Sequence, residues 1–391
     1  MSYENIGIDI VDINRIERIY NKFGNKFLEK IFNPIEIDYI SEKKNKAETI
    51  AALFSFKESI SKALGTGFSH GLTFKSIKIF HSELGAPKGE AKGEKFLLSA
   101  THDGNFAVTV ALLDGNGVNT PSRAIELYRP RLDKSHKGTF GKSMIITGSR
   151  GMVGAGYLSS TAALKSGCGL TYHYVSEEDE IFLPLSTMHI EVILRDSSPF
   201  KDLSKMDSVL FGCGVGITRK KRELLRQLLA EDIQLVIDAD GINMLAEDLS
   251  HLISKKAKVI LTPHIMEFSR LTGKVIAPGQ KLYSLAKDFA KIYDVILVLK
   301  DSKTIITDGN SLEIVDRENS GLATAGSGDV LAGIITSLVA QGYELMEAAT
   351  LGVYIHSLSG EIASKKKSKT SMIARDIIDS LDDVFRILEE R

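Results

Sequence analysis

Along the chain, short apolar runs alternate with stretches in which apolar residues recur every three or four positions, and the rhythm changes near residue 115. In the first part, Ile6–Ile10 predicts an opening strand, and a helical pattern follows from about Asp12. A second helical pattern runs from about Lys46 to Leu64 and stops at Gly65, a residue suited to the position just past a helix end. Ser76–Phe80 and Ala107–Leu113 read as further strands. Residues 1–114 are therefore expected to form a small α+β domain. The segment Asp114-Gly-Asn-Gly-Val-Asn-Thr-Pro-Ser-Arg123 then gathers turn formers, so residues 115–124 are expected to be a linker.

Over residues 125–391 continuous β-rich runs take over. Met144–Thr147, Ser208–Phe211, Leu235–Ile237, Val259–Leu261 and Val295–Leu299 alternate with helical stretches. That pattern predicts an α/β domain whose mostly parallel sheet is covered by helices on both faces. Several runs end in a turn or polar residue: Gly148, Gly212, Asp238, His264. In open α/β sheets ligands bind at the carboxyl ends of strands, where these residues belong.

Composition narrows the function classes. A chain of 391 residues holds about two or three domains. Its 49 Lys and Arg balance 50 Asp and Glu, so no bulk field points to nucleic acid. No apolar run approaches the roughly 20 residues of a membrane span, and the N-terminus has no basic segment leading into an apolar one. A cytoplasmic protein is expected. Cys168 and Cys213 match no ligand spacing and read as small buried thiols.

Two carboxylates stand out in the first part. Asp9 lies in the opening strand and Glu58 on the second helix; carboxylates from two elements can hold Mg²⁺, which takes one or two of them together with substrate phosphates. Lys57 and Lys62 would then face those phosphates. The plainer readings are a hydrogen-bonding Asp and a Glu58–Lys62 pair on a helix surface. Arg15, Arg18, Lys22 and Lys26 form a stripe on one helix face if the helix persists through Gly24, either a solvated face or a dock for an acidic partner.

The stretches Ile6-Gly-Ile-Asp-Ile-Val-Asp-Ile-Asn-Arg-Ile16, Phe56-Lys-Glu-Ser-Ile-Ser-Lys-Ala-Leu-Gly65, Gly85-Ala-Pro87 and Ser99-Ala-Thr-His102 resemble those of the holo-(acyl-carrier-protein) synthase family. The resemblance implies transfer of 4′-phosphopantetheine from coenzyme A to a serine of apo acyl carrier protein. It implies Mg²⁺ on Asp9 and Glu58, a catalytic role for Glu58, substrate contacts from Lys57, Lys62 and His102, and carrier-protein docking on Arg15, Arg18 and Lys22. It also implies a trimer formed through this domain. Where the family commonly has Arg-Phe-Ala-Ala-Lys-Glu, this chain has Leu53-Phe-Ser-Phe-Lys-Glu58.

The second part carries Asn319-Ser-Gly-Leu-Ala-Thr-Ala-Gly-Ser-Gly-Asp-Val-Leu-Ala-Gly333. Gly326, Ser327 and Gly328 would expose backbone amides at a helix start, an anion site. Asp329 beside them can accept the proton of a hydroxyl that attacks a nucleotide's terminal phosphate. A structural helix cap is the plainer alternative. Three better-known glycine motifs fail on spacing: Gly138–Ser143 lacks the first glycine of a P-loop, and neither Gly212–Ile217 nor Gly148–Gly156 has the dinucleotide fingerprint.

His136-Lys-Gly138, Gly148–Ala155, Phe211–Gly216, Asp238-Ala-Asp-Gly-Ile-Asn243, Thr262–Glu267, Lys300–Thr304, the glycine–Asp329 run and Gly352–His356 resemble, in order, the NAD(P)H-hydrate dehydratases of the ribokinase-like superfamily. The resemblance implies dehydration of NAD(P)H hydrate with ADP as phosphate donor, ATP being the alternative. It places Ala155, Gly214, Gly216, His264 and Asp329 at the hydrate, with Asp329 as base. Lys300, Asp301, Ser302, Lys303, Thr304, Gly326, Ser327 and Gly328 fall at the nucleotide. Asp301 and Ser320 depart from the residues usual there. Two rivals stay open: a small-molecule or vitamin kinase for the second part, and a non-catalytic oligomerisation or carrier-protein-binding module for the first.

Overall fold

The computed structural model describes residues 6–390 apart from 66, 70, 82–84, 93, 114–121, 177–179, 197 and 277–281. The chain divides into two compact units, Met1–Asn119 and Thr120–Arg391. Residues 115–121 of the expected linker lie outside the described residues. Its last three do not form a linker: Ser122–Leu127 is a helix, with Ala124 and Leu127 buried.

In the first unit the strands are β1 (Ile6–Asp12), β2 (Lys78–His81), β3 (Pro87–Ala91), β4 (Glu94–Asp103) and β5 (Phe106–Leu113). They form an antiparallel sheet in the order β1-β5-β4-β3-β2. Four helices, α1 (Ile13–Phe23), α2 (Asn25–Ile31), α3 (Pro34–Glu42) and α4 (Lys46–Ala63), bury Ile16, Leu28, Ile40, Ile50, Phe56 and Ile60 in one core with Ala107 and Ala111 of β5. Helix α4 lies directly on β1. A Cβ at Gly7 would stand 1.9 Å from the Ser59 carbonyl, so only glycine permits this approach. The other face of β1 carries Ile6, Ile8 and Ile10, each more than half exposed.

The helix does not persist through Gly24, the condition on which Lys26 joined the basic stripe. Gly24 adopts φ 55°, ψ −138°, outside the helical region, and α2 starts a new axis at Asn25. Lys26 therefore leaves the stripe, while Arg15, Arg18 and Lys22 remain exposed on α1.

In the second unit, the described residues form nine strands: β6 (Lys142–Ile146), β7 (Leu170–Tyr174), β8 (Ile193–Arg195), β9 (Ser208–Phe211), β10 (Gln234–Ile237), β11 (Lys258–Leu261), β12 (Val295–Leu299), β13 (Lys303–Thr307) and β14 (Leu312–Asp316). Their order is β14-β13-β12-β11-β10-β9-β6-β7-β8. Pairing is parallel from β12 to β8; only the β13–β14 edge is antiparallel. Alternate residues Met144, Val209, Phe211, Leu235, Ile237 and Val259 bury against Leu225, Leu228, Ile242 and Phe289 of the helices on one face. Their neighbours Ile145, Leu210, Val236 and Ile260 are fully buried on the other. Burial on both faces is why these strands read as continuous apolar runs. Strand order reverses between β6 and β9, which opens a crevice at their carboxyl ends. Among the described residues, no helix is long and apolar enough to cross a membrane.

Candidate functional site

The crevice of the second unit is built from the turns that leave β6, β9, β10, β11 and β12. After β9, Gly212 and Gly214 take φ 125° and 61°, a path open to glycine. The turn is tied to the one after β6: the Gly148 N–H donates to the Cys213 carbonyl (2.8 Å), and Ser149 Oγ to the Gly214 carbonyl (2.8 Å). Gly216 N–H donates to Asp240 Oδ2 (2.9 Å). A Cβ at Gly214 would come within 2.9 Å of the Ala155 Cβ, so Ala155 and Gly214 face each other at van der Waals range.

Asp329 stands in the first turn of the helix Ser327–Ala340, whose cap, Gly326, sits at φ 87°. Cys213 Sγ and carboxylate oxygens of Asp238 and Asp329 lie within 4.8 Å of one another. Lys300 Nζ bonds Asp238 Oδ1 at 2.9 Å, and a Cβ at Gly328 would lie 3.2 Å from that ammonium. The lysine thus reaches over the start of the Asp329 helix. Burial, and then the charge of Asp238, push the Asp329 carboxyl up to about 6, against the opposing pull of Cys213 and Lys300. Burial alone would lower Lys300, but the carboxylates of Asp238 and Glu267 outweigh it and hold the ammonium above its usual range. Burial and both aspartates drive the Cys213 thiol well up, so it stays protonated.

Two histidines hold the frame. His356 is buried, and burial pulls it down to about 4, so its ring is neutral at pH 7. Its Nε2 lies 3.0 Å from the Ser327 carbonyl and 3.1 Å from Ser327 Oγ, which fixes the first turn of the Asp329 helix. His264 caps the helix Ile265–Thr272: its Nδ1 accepts from the Met266 (3.0 Å) and Glu267 (3.3 Å) amides. The accepting Nδ1 leaves the proton on Nε2 in the neutral ring, and the half-exposed edge can donate it. Lys300 N–H donates to the Pro263 carbonyl (2.8 Å), which joins the ends of β11 and β12.

Of the residues expected at the nucleotide, Lys300 and Gly328 meet beside Asp329. Asp301 and Ser302 form an exposed turn; Lys303 is paired with Asp316 (2.6 Å), and Thr304 sits in β13 opposite Val315. Asp238 was marked by the sequence only as a strand-end residue, and Cys213 only as a small buried thiol. The signal available was position, directly after β9 and β10.

In the first unit, Asp9 on β1 faces α4. Its Oδ1 takes Lys62 Nζ at 2.7 Å and its Oδ2 takes Ser55 Oγ at 2.8 Å. Lys62 therefore pairs with Asp9 across elements. Glu58 lies one turn before Lys62 on α4; burial and then the Asp9 charge push its carboxyl up, opposed by Lys62. A carboxylate whose ionisation is opposed by burial and a neighbouring negative charge is relieved by a cation, and all-oxygen donors suit Mg²⁺, so these residues fit it.

Lys57 does not face a phosphate. It is fully buried, with its ammonium 2.8 Å from Glu36, 2.9 Å from the Phe74 carbonyl and 2.6 Å from that of Ile77. Burial lowers its pKa and Glu36 opposes the fall. Successive residues on a helix point about 100° apart, so a neighbour of Glu58 is turned into the core. His102 shares the sheet face of Asp9 but lies two strands away, in register with Val11 through Ala107. Leu53 is buried in the core.

Comparison with known proteins agrees with the two units. Residues 143–383 match the family model of NAD(P)H-hydrate dehydratase, and residues 5–111 match that of the 4′-phosphopantetheinyl transferase superfamily. A bifunctional NAD(P)H-hydrate repair enzyme of Moorella thermoacetica is 35% identical over 278 residues, covering 67% of this chain and 52% of that protein. The chain thus spans about half the length of such bifunctional relatives. An ADP-dependent (S)-NAD(P)H-hydrate dehydratase of Neisseria meningitidis serogroup B is 34% identical over 251 residues, 63% of this chain and 84% of the relative. Among solved structures, an ADP/ATP-dependent NAD(P)H-hydrate dehydratase of Bacillus subtilis, co-crystallised with ATP and Mg²⁺, matches with a TM-score of 0.60 at 25% identity, over 70% of this chain and 100% of that one.

Proposed function

Because the chain belongs to the NAD(P)H-hydrate dehydratase family and carries a 4′-phosphopantetheinyl transferase superfamily domain ahead of it, we propose that it is a bifunctional enzyme. Its second unit dehydrates NAD(P)H hydrate with ADP. Its first unit moves 4′-phosphopantetheine from coenzyme A to a serine of acyl carrier protein.

One observation carries the dehydratase reading: a half-buried carboxylate, Asp329, stands in the first turn of a helix and within reach of the charged pair Lys300–Asp238. Asp329 takes the proton of the ring hydroxyl as its oxygen attacks the terminal phosphorus of ADP, and AMP leaves. Loss of a ring proton and phosphate then restores the dihydronicotinamide, so hydrate plus ADP gives NAD(P)H, AMP and phosphate. The Gly328 amide and the Lys300 ammonium face the charge that develops on the transferred group. Ala155, Gly214, Gly216 and His264 border the space left for the hydrate.

In the first unit Asp9 and Glu58 would hold Mg²⁺, which would neutralise charge on the coenzyme A pyrophosphate. Lys62 is near enough to Asp9 to pass to that phosphate, and Arg15, Arg18 and Lys22 offer an exposed cationic face to an acidic carrier protein. The exposed Ile6, Ile8 and Ile10, continued in register by Val110 and Leu112, support burial of this face between copies, as in a trimer. The two unpaired, buried cysteines suit a cytoplasmic setting.

The test follows recovery of reduced-nicotinamide absorbance from hydrated NADH with ADP or ATP. Recovery with ADP that is lost in Asp329→Asn supports the reading. A folded wild type that consumes nucleotide yet leaves a stable phosphorylated product points to a kinase.

A further inference from the structure

We propose that Ser55 is a positioning residue for Asp9, fed by a one-way line of buried hydroxyls, and that it strengthens the hold of the first unit on a divalent cation. The proposal rests on the reading of Asp9 and Glu58 as the cation's ligands.

Ser55, Thr109 and Ser59 are each fully buried between α4 and β5. A hydroxyl carries one proton and a carboxylate only accepts, so the directions can be worked out. Ser55 Oγ lies 2.8 Å from Asp9 Oδ2, and its proton goes there. Ser55 is then left as an acceptor towards Thr109 Oγ1, also at 2.8 Å, which makes Thr109 the donor of that pair. Ser59 Oγ also accepts from Thr109, but at a longer 3.3 Å, so the single Thr109 proton favours the shorter link to Ser55. Ser59 directs its own proton to the Phe56 carbonyl at 3.0 Å. The line therefore runs from Thr109 through Ser55 to Asp9, and reversing the Ser55 link would leave Asp9 Oδ2 without its donor.

Asp9 is thereby held from two sides. Ser55 grips one oxygen from inside the core, while the half-exposed Lys62 takes the other from the solvent side and also bonds the Ile8 carbonyl at 3.0 Å. A cation arriving from solvent competes with Lys62, not with Ser55. It meets a carboxylate whose rotation is already stopped, and that preorganisation lowers the entropic cost of binding. Partners that orient a metal ligand in this way typically change affinity about 10–100-fold when removed. Ser55 stands where the resembled family commonly has alanine, so the lower end of that range is expected.

The test is Mn²⁺ binding to the intact chain, followed by water-proton relaxation, with the melting temperature of each variant. Asp9→Asn should lose one class of site. Ser55→Ala should keep the site number and raise its Kd about tenfold, and Thr109→Val should raise it less. A role in folding alone would lower the melting temperature and leave the Kd of folded protein unchanged. If Asp9→Asn loses the site and Ser55→Ala binds like wild type, the proposal falls while Asp9 stands as a ligand. If Asp9→Asn binds like wild type, both fall. If Ser55→Ala does not fold, Thr109→Val decides, and an unchanged Kd there overturns the proposal.

Discussion

The Lys300 ammonium lies 2.9 Å from the Asp238 carboxylate, and Asp238 is the partner that most raises Asp329 after burial itself. One ion pair therefore acts on the base with two signs. Asp238 makes Asp329 harder to ionise; Lys300 makes it easier.

Asp329 acts ionised, and its pKa is raised to about 6. Dehydration should fall about tenfold for each pH unit below that value and level off above it. Asp329→Asn should lower kcat about 10²- to 10⁴-fold and abolish this acid limb. Stopped assays across pH 5 to 8 with ADP read both.

The two partners should shift the limb in opposite directions. Lys300→Met removes a cation that favours ionised Asp329, so the limb moves to higher pH, with a higher KM for nucleotide. Asp238→Asn removes the competing anion, so the limb moves to lower pH. Profiles that move together, in variants with wild-type circular dichroism, would contradict this account of the pair.

Lys57→Met separates a core role from a phosphate contact. The change strands Glu36 as a buried charge, and removing one member of a buried pair costs about 3–5 kcal/mol. Urea unfolding of the first unit should show that loss. Unchanged stability with weakened coenzyme A binding would restore the phosphate reading.

Gly333→Ala tests how tightly the base is seated. A Cβ there would lie 2.3 Å from the Ser159 carbonyl and 2.9 Å from the Ala162 Cβ, at the crossing of the helix Val153–Lys165 with that of Asp329. Overpacking of this kind costs about 1–3 kcal/mol. Because these helices carry Ala155 and Asp329, a fall in kcat/KM should accompany the lower melting temperature.

Acid should destabilise the second unit through its buried histidines. His173 and His356 are both pulled by burial from 6.5 to about 4. Between those values the unfolded chain binds protons that the folded chain refuses. Stability from these groups is thus fully present above pH 6.5 and falls towards pH 4, by roughly 3 kcal/mol for each histidine. Urea titrations at pH 7 and 4.5 measure the difference; His356→Gln should flatten it.

Much of the second unit was legible because parallel strands buried on both faces write themselves as unbroken apolar runs, and their ends at Gly148, Gly212, Asp238 and His264 mark the crevice. What escaped was orientation. Lys57 and Glu58 are neighbours in sequence but point to different surroundings. Gly24 was the condition on which the basic stripe depended, but only its backbone angles show the break that removes Lys26 from that face. Cys213 looked like any small buried thiol, since its approach to Asp238 and Asp329 is set by the packing of three separate elements. Ser55 appeared only as a departure from a familiar string, because a hydroxyl's partner across a sheet has no local signature.

The placement of β1 has a kinetic consequence. Strand β1 is synthesised about a hundred residues ahead of its partner β5, so Ile6, Ile8 and Ile10 emerge long before the strand that will hold them exists. Closing the sheet is a late, non-local event, and until it happens the nascent chain presents a sticky, unpaired edge. Slow translation between β1 and β5 would lengthen that exposure, and chaperone demand would fall on the first unit ahead of the second.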